Sequence, residues 1–355
     1  EDLRKCHADI AIGLLGENAK PILDDINNTL VEIEWALSDP PGLDSHFQYD
    51  QMVSIGEMLS TKIVSHYLAA SGLQNTWVDA RDLIRTDNTY QDAKIDWDET
   101  KRITSSTVQR ALSKANIIVT QGFIGGTSEN FTTTLGREGS DFTAAILAHC
   151  TQATDVTIWK DVPGVLNADP KYFSDTVLIP EMSYFDAMEL AYFGTSVIHP
   201  KTIKPLQNSG IPLYVRSFIN PSTAGTVISN TEGLTIPPSF IVKTNQVLVS
   251  LTPKDYSFVT EAHFKNIYGV LSDIRMKANC AQNTAVNFSF STNDEESKIK
   301  VLQDLLEKEY DIHLIHDAEL ITIRYYDEDT ITLTTNGKKV LLDHRTPTSA
   351  QLVVK

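Results

Sequence analysis

A mostly parallel α/β sheet with helices on both faces, followed by a smaller α+β unit, is the architecture this amino-acid chain spells out. Three observations carry it. Its 355 residues exceed what one hydrophobic core usually serves, so two domains are expected. Between residues 76 and 218, short β-branched runs alternate with helix-like segments, the mark of strands joined by crossover helices. Beyond Pro237-Pro238 the order becomes strand, helix, two strands, helix, strand.

The first stretch, to about Ser71, reads as helical. "AKPILDDINNTLVEIEWAL" places Ile22, Ile26, Leu30, Ile33 and Leu37 at three- and four-residue spacing. "SDPPGLDSHFQYD" reads as a loop, and "MVSIGEMLSTKIVSHYLAASG" as a second helical segment stopped by Gly72. Strands are then expected at "TWVDA", "NIIVTQ", "VTIWK" and "IPLYVRSF". Helices fall between them at "TVQRALSKA", "DFTAAILAHC", "YFDAMELAYFG" and "PKTIKPLQNSG". On such a sheet ligands bind beyond the carboxyl ends of the strands. In the second part "QVLVSL", "RMKANCA", "TAVNFSFS" and "HLIHD" read as strands, with helices through "FVTEAHFKNIYGVLSD" and "EESKIKVLQDLLEKE". This is the split, ferredoxin-like order; the tail after it is strand-rich without a second clear pair of helices.

A formal net charge of −16 argues against a nucleic-acid or anionic-membrane surface, since both need clustered Lys and Arg. It leaves room for an anionic substrate held by a few local donors. Cys6, Cys150 and Cys280 have neither metal-ligand nor disulfide-framework spacing, which fits a reducing compartment. No charged-then-apolar leader opens the chain and no apolar run approaches a membrane span. A cytoplasmic protein with no membrane partner is the expectation. His313 and His316 in "HLIH" lie three apart on a strand, on opposite faces, so a shared ion is not expected.

The densest chemistry lies in "TTTLGREGSDFTAAILA", residues 132–148. Ser140 and Asp141 are good capping residues for the helix that follows, and a helix N-terminus is an anion site. Gly136 and Gly139 let backbone approach a ligand, and Arg137 adds a two-point fork for a carboxylate or phosphate. Around it, "VTIWKDVPGVLNADPK" sets Lys160 and Asp161 at a strand end, and "SIGEMLST" sets Glu57 beside a glycine in a helix. His199 in "FGTSVIHP" precedes a proline and is expected to shape a turn.

Taken with "TQGFIG", these motifs resemble the aspartate kinases of the amino-acid kinase superfamily, in order and spacing, from about Met52 to Ser229. The C-terminal unit resembles their ACT regulatory domain. The resemblance implies an amino-acid kinase domain over residues 1–232 and an ACT region over 240–355. Within the latter it implies one full unit at about 244–318 and an abbreviated one at about 319–355. It further implies transfer of the γ-phosphate of ATP, with Mg2+ on its phosphates, to the side-chain carboxylate of L-aspartate. By similarity Arg137 clamps the substrate α-carboxylate, Glu57 and Asp141 accept from its ammonium, and Ser140 orients it. Lys160, Asp161, Leu166, Lys171 and Ser196 fall at nucleotide-contacting positions. An amino-acid effector and a homodimer through the ACT region are implied as well.

The sequence departs from that pattern in four places. It contains no Lys-Phe-Gly-Gly-Thr-Ser string, the loop that engages ATP phosphates in the family, so it reads either as N-terminally truncated, the favoured reading, or as a natural relic of such a kinase, and as nearly inactive. No catalytic lysine can be named. Ser196 stands where a lysine is frequent, Glu138 where glycine is common, and Lys277 where an acidic effector ligand would be expected. Two other readings stand beside the first: a kinase for another amino acid such as glutamate, and a non-catalytic amino-acid sensor on a kinase-like frame.

Overall fold

The computed structural model describes residues 2–38, 45–194 and 197–355. The chain forms two compact units, residues 1–158 with 198–214, and residues 159–197 with 215–355. The division falls inside two strands and does not coincide with Pro237-Pro238.

The first unit opens with α1 (Asp2–Leu15), α2 (Lys20–Ser38) and α3 (Ser45–Ala70). Ile22, Ile26 and Leu30 bury one stripe of α2 against Ile55, Leu59 and Ile63 of α3, the spacing that the sequence shows. Helix α3 starts earlier than expected, so Ser45–Asp50 are helical; residues 39–44 of the expected loop lie outside the described residues. Gly72 follows α3 with φ +83°. Next come β1 (Asn75–Trp77), α4 (Trp97–Leu112) and β2 (Ile117–Val119), with β1 and β2 paired in parallel. Asp96 caps α4 by accepting from the Glu99 N–H, which starts the helix ten residues before its apolar pattern becomes legible. β3 (Ile124–Gly126) and β4 (Thr132–Thr134) form an antiparallel pair that the sequence reading missed, because glycines and threonines carry no hydrophobic alternation. α5 (Gly139–Thr151) and then β5 (Val156–Lys160) complete this run.

The second unit takes up β6 (Glu181–Ser183) and α6 (Tyr184–Phe193); α7 (Pro200–Ser209) returns the chain to the first unit before β7 (Leu213–Ser217) and β8 (Thr226–Ser229). The sheet order is β5-β7-β8-β6, with β6 and β8 parallel. The sheets of this part are thus short, and the β3–β4 pair is a separate antiparallel one.

β9 (Ser239–Pro253), α8 (Glu261–Asp273), β10 (Cys280–Asn283), β11 (Phe288–Asn293), α9 (Glu296–Leu306) and β12 (Tyr310–Arg324) reproduce the expected split order. α10 (Glu328–Thr335), β13 (Val340–Arg345) and β14 (Ser349–Val354) follow. All six strands join one sheet in the order β10-β11-β9-β12-β14-β13. β9 and β12 are 15 residues each, so each serves both halves of that sheet. Val247, Val249 and Leu251 pack under α8 and α9, while Leu248 faces Leu320 and Val353 on the opposite side. Coverage on both faces explains the unbroken apolar run in "QVLVSL". The expected strand "RMKANCA" shortens to β10, since the Met276 N–H closes back on Leu271 O (2.8 Å) and extends the end of α8. Cys150 and Cys280 are buried, and burial pushes their thiols up to about 11 and about 12. Among the described residues no helix is long and apolar enough to cross a membrane.

Candidate functional site

Helix α3 is fastened to the sheet by two polar side chains near its start. Buried Asp50 accepts from the N–H groups of Thr134 (2.8 Å) and Gln91 (2.9 Å) and from Thr134 Oγ1 (2.8 Å). Gln51 trades two bonds with the Thr132 backbone, receiving at Oε1 (3.1 Å) and donating from Nε2 (2.7 Å). Two turns on stands Glu57, half-buried, its carboxyl pKa raised by burial. One turn further, Thr61 Oγ1 receives from Gln121 Nε2 (2.7 Å), and Gln121 Oε1 receives from the Ala80 N–H (2.8 Å).

Gly122, next to Gln121, lies directly on Ser140: a Cβ there would sit 2.8 Å from the Ser140 Cα, Cβ and Oγ. Gly139 does the same to Phe123, whose Cδ2 would be 2.7 Å from an added Cβ. The Phe123 N–H donates to Thr143 Oγ1 (3.0 Å), one turn into α5. Through these links residues 121–123 bridge the Glu57 helix to the start of the helix that carries Ser140 and Asp141. Substituting either glycine would push the two apart.

Ser140 and Asp141 do not occupy the cap position that the sequence suggested. Helix α5 begins at Gly139, with Glu138 as N-cap residue at φ 56° and no side-chain cap bond. The side-chain-free Gly139 allows the helix to start flush against Phe123, which moves Ser140 and Asp141 into its first turn. There an acidic side chain still complements the helix dipole. The left-handed backbone of Glu138 is one that glycine enters without steric penalty, which accounts for glycine suiting this position. Arg137 and Ser140 are exposed and Asp141 is half-buried.

His199 is the N-cap of α7, its Nδ1 accepting from the Lys201 N–H (3.2 Å), with Pro200 following at the first helical position. The turn-shaping reading is what the structure shows. Its pKa is lowered by burial first and by Lys201 second; Glu138 and Asp92 act in the opposite sense and Arg137 in the same one. Capping needs the unprotonated ring nitrogen. Because the folded state depresses this pKa, the stabilisation is complete above the unfolded value and is lost as pH falls through the folded one. His199→Asn keeps an acceptor that does not titrate. The urea midpoint of wild type should therefore fall relative to His199→Asn as pH is lowered from about 7 to about 5. A constant difference across that range would remove His199 from the account.

The nucleotide-position residues belong to the second unit. Lys160 ends β5 half-buried, its carbonyl accepting from the Phe218 N–H (2.7 Å), and Asp161 beside it is exposed. The turn after it is anchored from below: the Val165 N–H donates to Thr226 Oγ1 (2.8 Å), and Gly164 has φ +147° with Thr226 Oγ1 2.7 Å from where a Cβ would be. Leu166 bridges Leu178, and Asn167 ties Val177 (2.7 Å) to Pro238 (3.0 Å). Lys171 is exposed, its N–H held by Asp169 Oδ1 (2.9 Å). Ser196 lies outside the described residues. Glu57, Arg137, Ser140 and Asp141 thus sit in the first unit, and Lys160, Asp161, Leu166 and Lys171 in the second.

Sequence reasoning missed Asp50, Gln51 and Gln121. Their partners lie 41 to 84 residues away, so no local pattern announces them. Among the described residues no group of three or more His, Cys, Asp or Glu could hold a metal ion, and His316 Nδ1 is bonded to Asp294 (2.7 Å).

Comparison with known proteins places the chain in a family. The Amino acid kinase family model matches residues 18–217. Lysine-sensitive aspartokinase 3 of Escherichia coli (strain K12) is 35% identical over 239 residues, which cover 67% of this chain and 51% of that protein. Aspartokinase of Chlamydia pneumoniae is 31% identical over 284 residues, 79% of this chain and 63% of that protein. The chain therefore spans about half the length of the first of these relatives and under two thirds of the second. Among solved structures, E. coli aspartokinase III in complex with aspartate and ADP (R-state) superposes with a TM-score of 0.73 at 25% identity, over 95% of this chain and 77% of that one. Aspartate kinase of Clostridium acetobutylicum shares the fold, with a TM-score of 0.78 at 19% identity over 100% and 81% of the two chains. With more than half of its residues matched by the family model, this chain belongs to the amino acid kinase family.

Proposed function

We propose that the protein is an aspartate kinase, in which the γ-phosphate of ATP passes to the side-chain carboxylate of L-aspartate to give 4-phospho-L-aspartate. The observation that carries this is the bridge through residues 121–123, which joins α3, the helix that carries Glu57, to the start of α5 beside Arg137. A zwitterion needs a cation for one end and carboxylates for the other, and this assembly offers both. Arg137 takes the α-carboxylate in two-point fashion; Glu57 and Asp141 accept from the ammonium; Ser140 at the helix start orients the molecule. Lys160, Asp161, Leu166, Lys171 and Ser196 hold the nucleotide, and Mg2+ travels with its phosphates. Catalysis is then alignment and charge neutralisation, with no covalent enzyme intermediate. The likeness to aspartokinases in sequence and to an aspartate- and ADP-bound structure supports the choice of substrate.

Calorimetric titration of the intact chain tests the amino-acid part without requiring turnover. L-Aspartate should bind, L-glutamate should bind at least tenfold more weakly, and N-acetyl-L-aspartate, which lacks the ammonium, should not bind. Affinity should also fall as pH is lowered through the raised pKa of Glu57, since only the ionised carboxylate attracts the ammonium. Equal binding of the acetylated compound would overturn the assignment of Glu57 and Asp141.

The C-terminal sheet is the regulatory part, an ACT region of one complete and one abbreviated unit that takes an amino-acid effector and pairs with a second copy. In support, Tyr256 and Phe258, two aromatic side chains near the entry to α8, are 82% and 70% exposed. Sedimentation of the intact chain should give twice 39.4 kDa, and Phe258→Asp should shift the mass toward the monomer. A wild-type monomer at micromolar concentration would end the dimer proposal.

A further inference from the structure

A cavity of about 300 Å3 opens in the first unit where α4, α5 and α7 meet, and none of the residues discussed for aspartate or nucleotide lines it. Its walls are Trp97, Phe142 and His149 on one side and Pro205, Lys204 and Asn208 of α7 on the other. The rings are held in place. Trp97 meets His149 edge-on at 5.4 Å and 83°, and Phe142 at 6.4 Å and 70°. His149 Nδ1 is bonded to Ser209 Oγ (2.6 Å), which fixes the imidazole, and Asp96 fixes the turn that begins with Trp97. Trp97 nonetheless remains 38% exposed, its ring only partly covered by the helices beside it.

The charges around the cavity reverse those of the whole protein. The chain carries a net −16, yet among the described residues no carboxylate lines this space. Its cationic lining comes from Lys201 and Lys204. Lys201 is committed to an ion pair with Asp92, whereas Lys204 is exposed and pairs with no carboxylate among the described residues. Asn208, one turn along α7 from Lys204, adds amide donors on the same wall. A rigid aromatic box with one uncommitted ammonium at its rim selects a flat apolar body bearing one negative charge. The volume is at the lower end of the range of ligand pockets and suits a single ring better than a nucleotide.

We propose that this cavity is a binding site for a small planar aromatic carboxylate. The ring lies against Trp97, Phe142 and Pro205, and the carboxylate reaches Lys204 Nζ and the Asn208 amide. The site is separate from the amino-acid reader and does not depend on the kinase reading.

Benzoate is the probe, titrated into the intact chain while the indole N–H resonance of Trp97 is followed by NMR. The resonance should shift saturably. Lys204→Glu should weaken benzoate at least tenfold, and benzamide, flat but neutral, should bind wild type at least tenfold more weakly. Cyclohexanecarboxylate, charged but not flat, should be weaker as well. Lys204 is exposed, so the variant should keep its thermal midpoint; should it not, Asn208→Ala provides the same comparison on the other polar contact. No saturable shift, an unchanged affinity in both variants, or an equal response to acetate or inorganic phosphate would each overturn the proposal.

Discussion

Replacing Asp186 by alanine should lower the unfolding free energy by about 3–5 kcal/mol, the usual consequence of leaving one member of a buried ion pair alone. The Arg324 side chain is 3% exposed and Asp186 10%, with the guanidinium 3.1 Å from Asp186 Oδ1 and 3.2 Å from Glu189 Oε2. Arg324 also donates to Thr348 Oγ1 (3.1 Å) and lies 4.9 Å from the Tyr325 ring centre. Asp186 is equally committed: it accepts from the Tyr325 hydroxyl and from Ser183 Oγ (2.6 Å), the cap residue of α6. Burial first, then the Asp186 carboxylate, raises the Tyr325 pKa. Without Asp186 the buried cation keeps, among the described residues, Glu189 as its one counter-charge, and that side chain is one third exposed. The cluster joins α6, inside the span matched by the family model, to the end of β12 in the C-terminal sheet. Urea denaturation should show Asp186→Ala far below wild type. The double variant Asp186→Leu, Arg324→Met should recover much of the loss, because paired apolar side chains carry no desolvation penalty. As a control, Arg102→Ala breaks the exposed Glu99–Arg102 pair and should stay within about 0.5 kcal/mol. If Asp186→Ala unfolds at the same urea concentration as Arg102→Ala, the cluster is not holding the fold.

Arg137→Ala should weaken L-aspartate by about 1.5–3 kcal/mol, the range for hydrogen bonds to charged groups, while leaving nucleotide binding unchanged. The residue is exposed in this structure, so its guanidinium is desolvated only as substrate arrives; that argues for this range rather than the larger one of a pre-buried pair. Its backbone is well placed for the task. Gly136 before it has φ +76°, and a Cβ there would lie 2.8 Å from Asp92 Oδ1, so the turn fits only glycine and directs the next side chain outward. Arg137→Lys should restore only part of the affinity, since an ammonium cannot bind a carboxylate in two-point fashion. Calorimetry of both variants with aspartate and with an ATP analogue decides it. Unchanged aspartate affinity alongside weakened nucleotide binding would mean that Arg137 serves the other ligand.

Much of the architecture was legible in the sequence. The three- and four-residue spacing of Ile22, Ile26 and Leu30, the punctuation at Gly72 and Gly210, and the strand–helix order beyond Pro238 all act through neighbours in the chain. Local propensity and periodicity report such features directly. Glu57, Arg137, Ser140 and Asp141 were singled out through the resemblance of their short strings to the aspartate kinases, and their roles stand as a proposal.

What the tertiary structure decided is where long-range partners meet. It placed the start of α5 at Gly139 rather than Ser140, because that glycine can lie against Phe123. It paired β3 with β4, drew Asp50 onto Thr134 across 84 residues, and set Arg324 on Asp186 across 138. It also extended β9 and β12 to 15 residues each, so that one sheet carries both halves of the C-terminal region. None of these has a local signature: a buried polar group is satisfied by whichever partner the finished fold brings within about 3 Å, and that partner is set by packing, not by its distance along the chain.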